Sequence, residues 1–189
     1  MPVWGGSPSA QGDFVSIPEA VTTGSSTRVA QVLFDGASFI TPIIGATNRL
    51  LARVTARTGA PTGRFLLYQA LATEGVPPVE LVAHAENVVI PAANTNFEIP
   101  FIEGTATLQA GPYYLLFGRD SVLGSFTMRT RAVQALDLYT ANTDPSMHAV
   151  CFTTTIPANT TPATFDPRPS LTVLPAMLDL VLVHRFKLV

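Results

Sequence analysis

Charge is what this chain has least of. Only 13% of its 189 residues are charged, against roughly a quarter in ordinary soluble domains. Lysine occurs once, at Lys187, so the other basic residues are all arginine. Cysteine also occurs once, at Cys151, which excludes a disulfide framework and a cysteine-based metal site. Long hydrophobic runs are missing too. The most apolar stretch, 171–189, is interrupted by Pro175, Asp179, His184, Arg185 and Lys187, which argues against a transmembrane helix. Residues 1–9 offer neither a basic n-region nor an apolar h-region, so no secretory leader is expected. Yet 47% of the chain is hydrophobic. So little charge beside so much apolar surface predicts that other protein chains cover part of the molecule. That favours a component of an assembly over a freely diffusing catalyst.

The few charges are sorted by sign. From Arg28 to Arg64 there are five arginines and one acid, Asp35. From Phe65 to Gly118 come Glu74, Glu80, Glu86, Glu98 and Glu103, without a lysine or arginine. Arg119, Arg129 and Arg131 follow. Two readings stand: solvated faces of one sheet protein, or complementary patches that set register between subunits. The preference for arginine fits an interface, because its planar fork pairs bidentately and is weakly hydrated. It fits a GC-rich genome equally well. A net charge of −2 gives no general reason to expect nucleic acid as a partner.

Residues 1–26 are rich in Gly, Pro, Ser and Thr and read as an extended N-terminal arm. Such an arm frays unless it docks. Residues 27–189 read as one domain of strands. Arg28–Phe34 is expected as a strand, Asp35-Gly36 as a turn, and Ala37–Ile44 as the next strand. Over Arg49–Arg57, Leu51, Arg53, Thr55 and Arg57 alternate with Leu50, Ala52, Val54 and Ala56, which predicts a strand with its arginines outside. Further strands are expected at 64–70, 80–90, 105–109, 112–118, 123–133, 148–155, 170–174 and 178–189. Asn94–Ile102 reads as an edge strand because Pro100 cannot donate to a ladder. Residues 157–169 read as a long Thr/Pro loop. No amphipathic helix of useful length is visible. The predicted fold is all-β: a single β-sandwich, jelly-roll-like, with the arm attached.

The sequence holds little chemistry. His84, His148 and His184 are far apart, and none has a second ligand at metal spacing. Gly59–Gly63 lacks the lysine of a phosphate loop, and no nucleophile elbow or dinucleotide fingerprint occurs. No enzyme activity, metal or cofactor is expected. Tyr113 and Tyr114 are adjacent on a strand and must point to opposite faces. One is expected in the core and the other at the surface or an interface, and both Tyr113 and Tyr114 are candidate glycan contacts.

Two segments carry a resemblance: Pro61–Ala70 followed by Gly75–Ala83, and later Leu108-Gln-Ala-Gly-Pro-Tyr-Tyr-Leu-Leu-Phe-Gly118. This order, spanning roughly residues 50–133, resembles the β-sandwich modules of tailed-bacteriophage virion proteins. The resemblance implies a non-enzymatic structural protein of the virion: a capsid decoration, cement or minor component that stabilises the particle through contacts between subunits. Its implied partners are other virion proteins, major capsid or tail, and further copies of itself, with no nucleic acid and no membrane. The candidate interface residues are Trp4, Arg49, Arg53, Arg57, Arg129 and Arg131. The alternative is a tail or fibre module that recognises host-surface carbohydrate.

Overall fold

Strands here arise from two kinds of pattern. Some alternate polar with apolar residues, as 49–57 does, and some carry a continuous apolar run, as 65–68 does. The first kind suits a sheet with one wet face and the second a sheet covered on both. A computed structural model of the chain describes residues 23–41, 45–69, 79–109, 111–132, 151–166, 180–182 and 184–189. The strands in it are β1 (Thr23–Arg28), β2 (Leu33–Thr41), β3 (Gly45–Gly59), β4 (Thr62–Gln69), β5 (Val79–Val89), β6 (Thr95–Pro100) and β7 (Ala106–Leu108). After these come β8 (Gly111–Arg119), β9 (Gly124–Ala132), β10 (Cys151–Thr155), β11 (Thr164–Phe165), β12 (Leu180–Leu182) and β13 (His184–Leu188). No helix occurs among the described residues.

The strands form two antiparallel sheets, and the all-β sandwich expected from the sequence is what the chain adopts. Sheet I runs β1-β9-β3-β13, with β6 and β7 also paired to β3 and β12 to β9. Sheet II runs β10-β2-β8-β4-β5-β11. Between them lies the main core: Leu50, Val54, Phe126 and Met128 from sheet I meet Phe65, Leu67, Leu115 and Phe117 from sheet II. A second core lies on the other side of sheet II, where Phe34, Leu66, Tyr68, Tyr114 and Leu116 are covered by Ile156 and Phe165. The described part of the Thr/Pro loop, residues 157–166, is therefore a strap across sheet II, and it includes the short strand β11, which pairs with β5.

Three expectations change. Asp35-Gly36 is not a turn but lies inside β2, a central strand, with Gly36 opposite both Leu116 and Phe152. The chain turns instead at 29–32, because β1 belongs to sheet I and β2 to sheet II. The stretch 178–189 contains two strands rather than one: β12 pairs with β9, and β13 with β3, in the fork where those two strands diverge. Residues 23–26, read as the end of the arm, already pair with β9. As expected, Pro100 sits on an outer strand, since β6 pairs with β3 among the described residues.

Candidate functional site

The outer face of sheet I gathers the arginines. Leu50, Ala52 and Val54 of β3 enter the core, so Arg49, Leu51, Arg53 and Thr55 face outward. On the neighbouring β9, Phe126 and Met128 enter the core and Thr127 and Arg129 face out. Backbone register adds Arg131 on β9, and Lys187 and Arg185 of β13 opposite Arg49 and Leu51. The Arg131 side chain and the whole of Trp4 lie outside the described residues.

Arg57 departs from this row. A β-bulge between Val54 and Ala56 sets two residues, Thr55 and Ala56, against Thr127 alone. A bulge shifts the alternation by one residue. Arg57 consequently stands opposite Phe126, whose ring is in the core, and not beside Arg53. Its guanidinium caps the end of the sandwich, with Nη1 donating to Ile90 O at 2.7 Å. Period-two reading of the sequence could not detect the extra residue.

Each outward arginine is held by a neighbour. Arg49 donates from Nε to Asn48 Oδ1 at 2.9 Å and pairs through Nη1 with Glu98 of β6. Arg53 Nη1 donates to Asn96 Oδ1 at 3.2 Å, its directly opposed residue on β6. These contacts orient the guanidinium groups on a rigid sheet. Arginine carries five N–H donors, so further carboxylate or carbonyl acceptors on a partner can still be met.

The two tyrosines do leave opposite faces of β8, but neither reaches the surface. Tyr113 joins the main core and Tyr114 the second core, and both are fully buried. Tyr113 Oη donates to Gln109 O at 2.9 Å and accepts from Gln109 N–H at 2.7 Å. Burial pushes the Tyr113, Tyr68 and Tyr114 hydroxyls above their usual range, and Asp166 adds to the effect at Tyr114. A glycan-stacking platform needs an open ring face, which these rings lack. The expectation of one surface tyrosine failed because the strap gives sheet II a second core.

A polar cluster not singled out from the sequence lies at the edge of that second core. Arg64 projects from the strap face of β4, and its Nη2 lies 2.6 Å from Asp120 Oδ1, with both side chains 3% exposed. Its Nη1 donates to Thr160 O of the strap. Asp120 Oδ2 accepts from Asn87 N–H at 2.6 Å. Glu86 lies 4.0 Å from Arg64 and accepts from the Thr161 hydroxyl. His84, 3.8 Å from Glu86, is bound on its other side by Glu103, whose carboxylate also accepts from His84 N–H at 3.0 Å. Tyr68 Oη donates to Pro162 O at 2.9 Å. Every member has a structural partner, and the cluster fastens the strap. A sequence signal existed: Arg64 interrupts the apolar run of β4, and a charge on a doubly covered strand needs a buried partner.

No group of three or more His, Cys, Asp or Glu side chains that could hold a metal ion occurs among the described residues. Among the same residues no helix is long and apolar enough to cross a membrane.

No protein-family model matches the chain, and no curated protein is similar to it at a significant level. Among solved structures it is similar to the cysteine protease and lectin-like domains of Cwp84, a surface layer associated protein of Clostridium difficile. The identity is 10% and the TM-score 0.41, over 87% of this chain. The chain spans 36% of that protein's length in the comparison.

Proposed function

We propose that this chain is a non-enzymatic structural component of a virion of the tailed-phage type, a decoration or cement protein that docks through the outer face of sheet I. The observation that carries the reading is the asymmetry of the two sheets. Among the described residues, sheet II has both faces covered by the chain's own side chains, whereas sheet I turns Arg49, Arg53 and Arg129 outward from a rigid frame. A basic face of this kind fits an acidic or carbonyl-rich protein surface, and charge complementarity there sets register and encounter rate. The sandwich resemblance of residues 50–133 supplies the class of particle. The carbohydrate-binding alternative loses its candidate contacts, because Tyr113 and Tyr114 are buried.

Incorporation into gradient-purified particles tests the reading. The double variant Arg49→Glu, Arg53→Glu should fold normally and be depleted from particles by at least tenfold. Deletion of residues 1–22, which leaves β1 whole, measures the contribution of the arm separately. Undiminished incorporation of the double variant would remove sheet I as the docking face.

A further inference from the structure

Sheet I is completed by the last strand of the chain. β3 pairs directly with β9 only over Val54–Gly59, and where the two diverge β13 borders β3 while β12 borders β9. Residues 49–52 of β3 consequently lie between β13 on one side and β6 on the other. β13 is thus a wedge in the middle of the basic face.

Its register sets charge against like charge. Lys187 stands directly opposite Arg49, and Arg185 stands opposite Leu51, between Arg49 and Arg53. Opposed residues share a face, so seating β13 adds two cations to the face that already holds Arg49, Arg53 and Arg129. Across the described strands of sheet I, Arg28 on β1, three arginines on β3, two on β9 and two cations on β13 stand against one acid, Glu98 on β6. That acid is already paired with Arg49. Like charges directly opposed across an antiparallel pair are destabilising. What holds β13 is local: Phe186 stands opposite the buried Leu50, and Val189 N–H donates to Ala46 O at 3.0 Å.

We propose that an acidic protein partner lying across the outer face of sheet I locks β13 into the fork, so that docking and the seating of the last strand are one coupled event. Carboxylates set over Arg49, Arg185 and Lys187 remove the repulsion between β13 and β3. The partner therefore binds the seated form better than the lifted one, which is what a coupled equilibrium requires. The coupling is reciprocal, and whatever lifts β13 weakens docking by the same factor. It rests on the docking role proposed for this face and gives that face a strand that responds to the partner.

Hydrogen exchange of the full-length chain tests the coupling without any particle. Raising salt from about 0.01 M to about 1 M shortens the screening length from about 30 Å to about 3 Å. The backbone amides of β13 should then exchange at least threefold more slowly, while those of Leu66 and Leu67 in β4 stay as they were. Lys187→Glu sets a carboxylate opposite Arg49, so it should protect β13 at low salt and reverse the response to salt. At low salt, a hexaglutamate peptide should bind the wild type and slow exchange in β13. Exchange in β13 that ignores salt, or that changes in step with β4, overturns the proposal and leaves docking through sheet I standing. Hexaglutamate binding with no change at β13 does the same. Hexaglutamate that fails to bind at all overturns both the coupling and the acidic partner.

Discussion

Arg64 and Asp120 form an ion pair at 2.6 Å with both side chains almost wholly buried, and the pair joins β4 to the connection between β8 and β9. Arg64 also holds Thr160 of the strap, while Asp120 holds the backbone of Asn87. One pair thus fastens both the covering of sheet II and the connection between β8 and β9. Removing one partner leaves the other charge buried and uncompensated. Arg64→Ala should therefore cost about 3–5 kcal/mol in urea unfolding, and it should open residues 157–162 to limited proteolysis. The paired change Arg64→Met, Asp120→Asn should cost less than the single one. Equal losses would mean that the pair is not the coupling element.

Tyr68→Phe removes the hydrogen bond to Pro162 O while keeping the ring against Phe165. A loss of about 1 kcal/mol is expected, with faster cleavage of the strap. Tyr113→Ala empties a fully buried site in the main core. It should cost about 3–5 kcal/mol, as large-to-small aromatic changes do. Neither Tyr113→Ala nor Tyr114→Ala should alter a glycan-array profile except by unfolding. A clean loss of a glycan signal in a folded variant would restore the carbohydrate reading.

The buried tyrosines also set an alkaline limit. Burial raises the hydroxyls of Tyr68, Tyr113 and Tyr114 above the ordinary tyrosine value near 10. In the unfolded chain they ionise first, so above pH ~10 the unfolded state binds fewer protons and gains on the native one. Their contribution is intact below that pH and is lost as pH climbs toward the folded values. Each group adds a slope of at most about 1.4 kcal/mol per pH unit. Melting temperature should hold below pH ~10 and fall above it, less steeply in Tyr68→Phe.

Gly124 has φ of +105°, and a Cβ there would lie 2.0 Å from Thr58 O. Both the backbone conformation and the space demand glycine. Gly124→Ala should cost about 3 kcal/mol or more, whereas Gly104→Ala, with nothing near its Cβ position, should cost only its conformational strain. Thermal unfolding of the two variants side by side checks the difference.

Alternation along β3 was enough to predict a strand with Arg49 and Arg53 outside, because a strand's side-chain period is a local property. Pro100 likewise marked an outer strand by its missing donor. Other features depend on which strands become neighbours. The bulge that turns Arg57 away from the row exists only where β3 meets β9. Asp35-Gly36 lost its turn because β2 lies between β8 and β10. The burial of both tyrosines, and of Arg64 with Asp120, follows from a strap some 40 residues beyond β8 folding back over sheet II. The low charge of the chain thus has two sources. Part of the apolar excess fills a second core on sheet II, which the tertiary structure alone creates by long-range packing. Among the described residues part of it stands exposed, at Val29, Val89, Val122 and Leu123 where the connections of both sheets converge and at Ile102 and Val189 elsewhere.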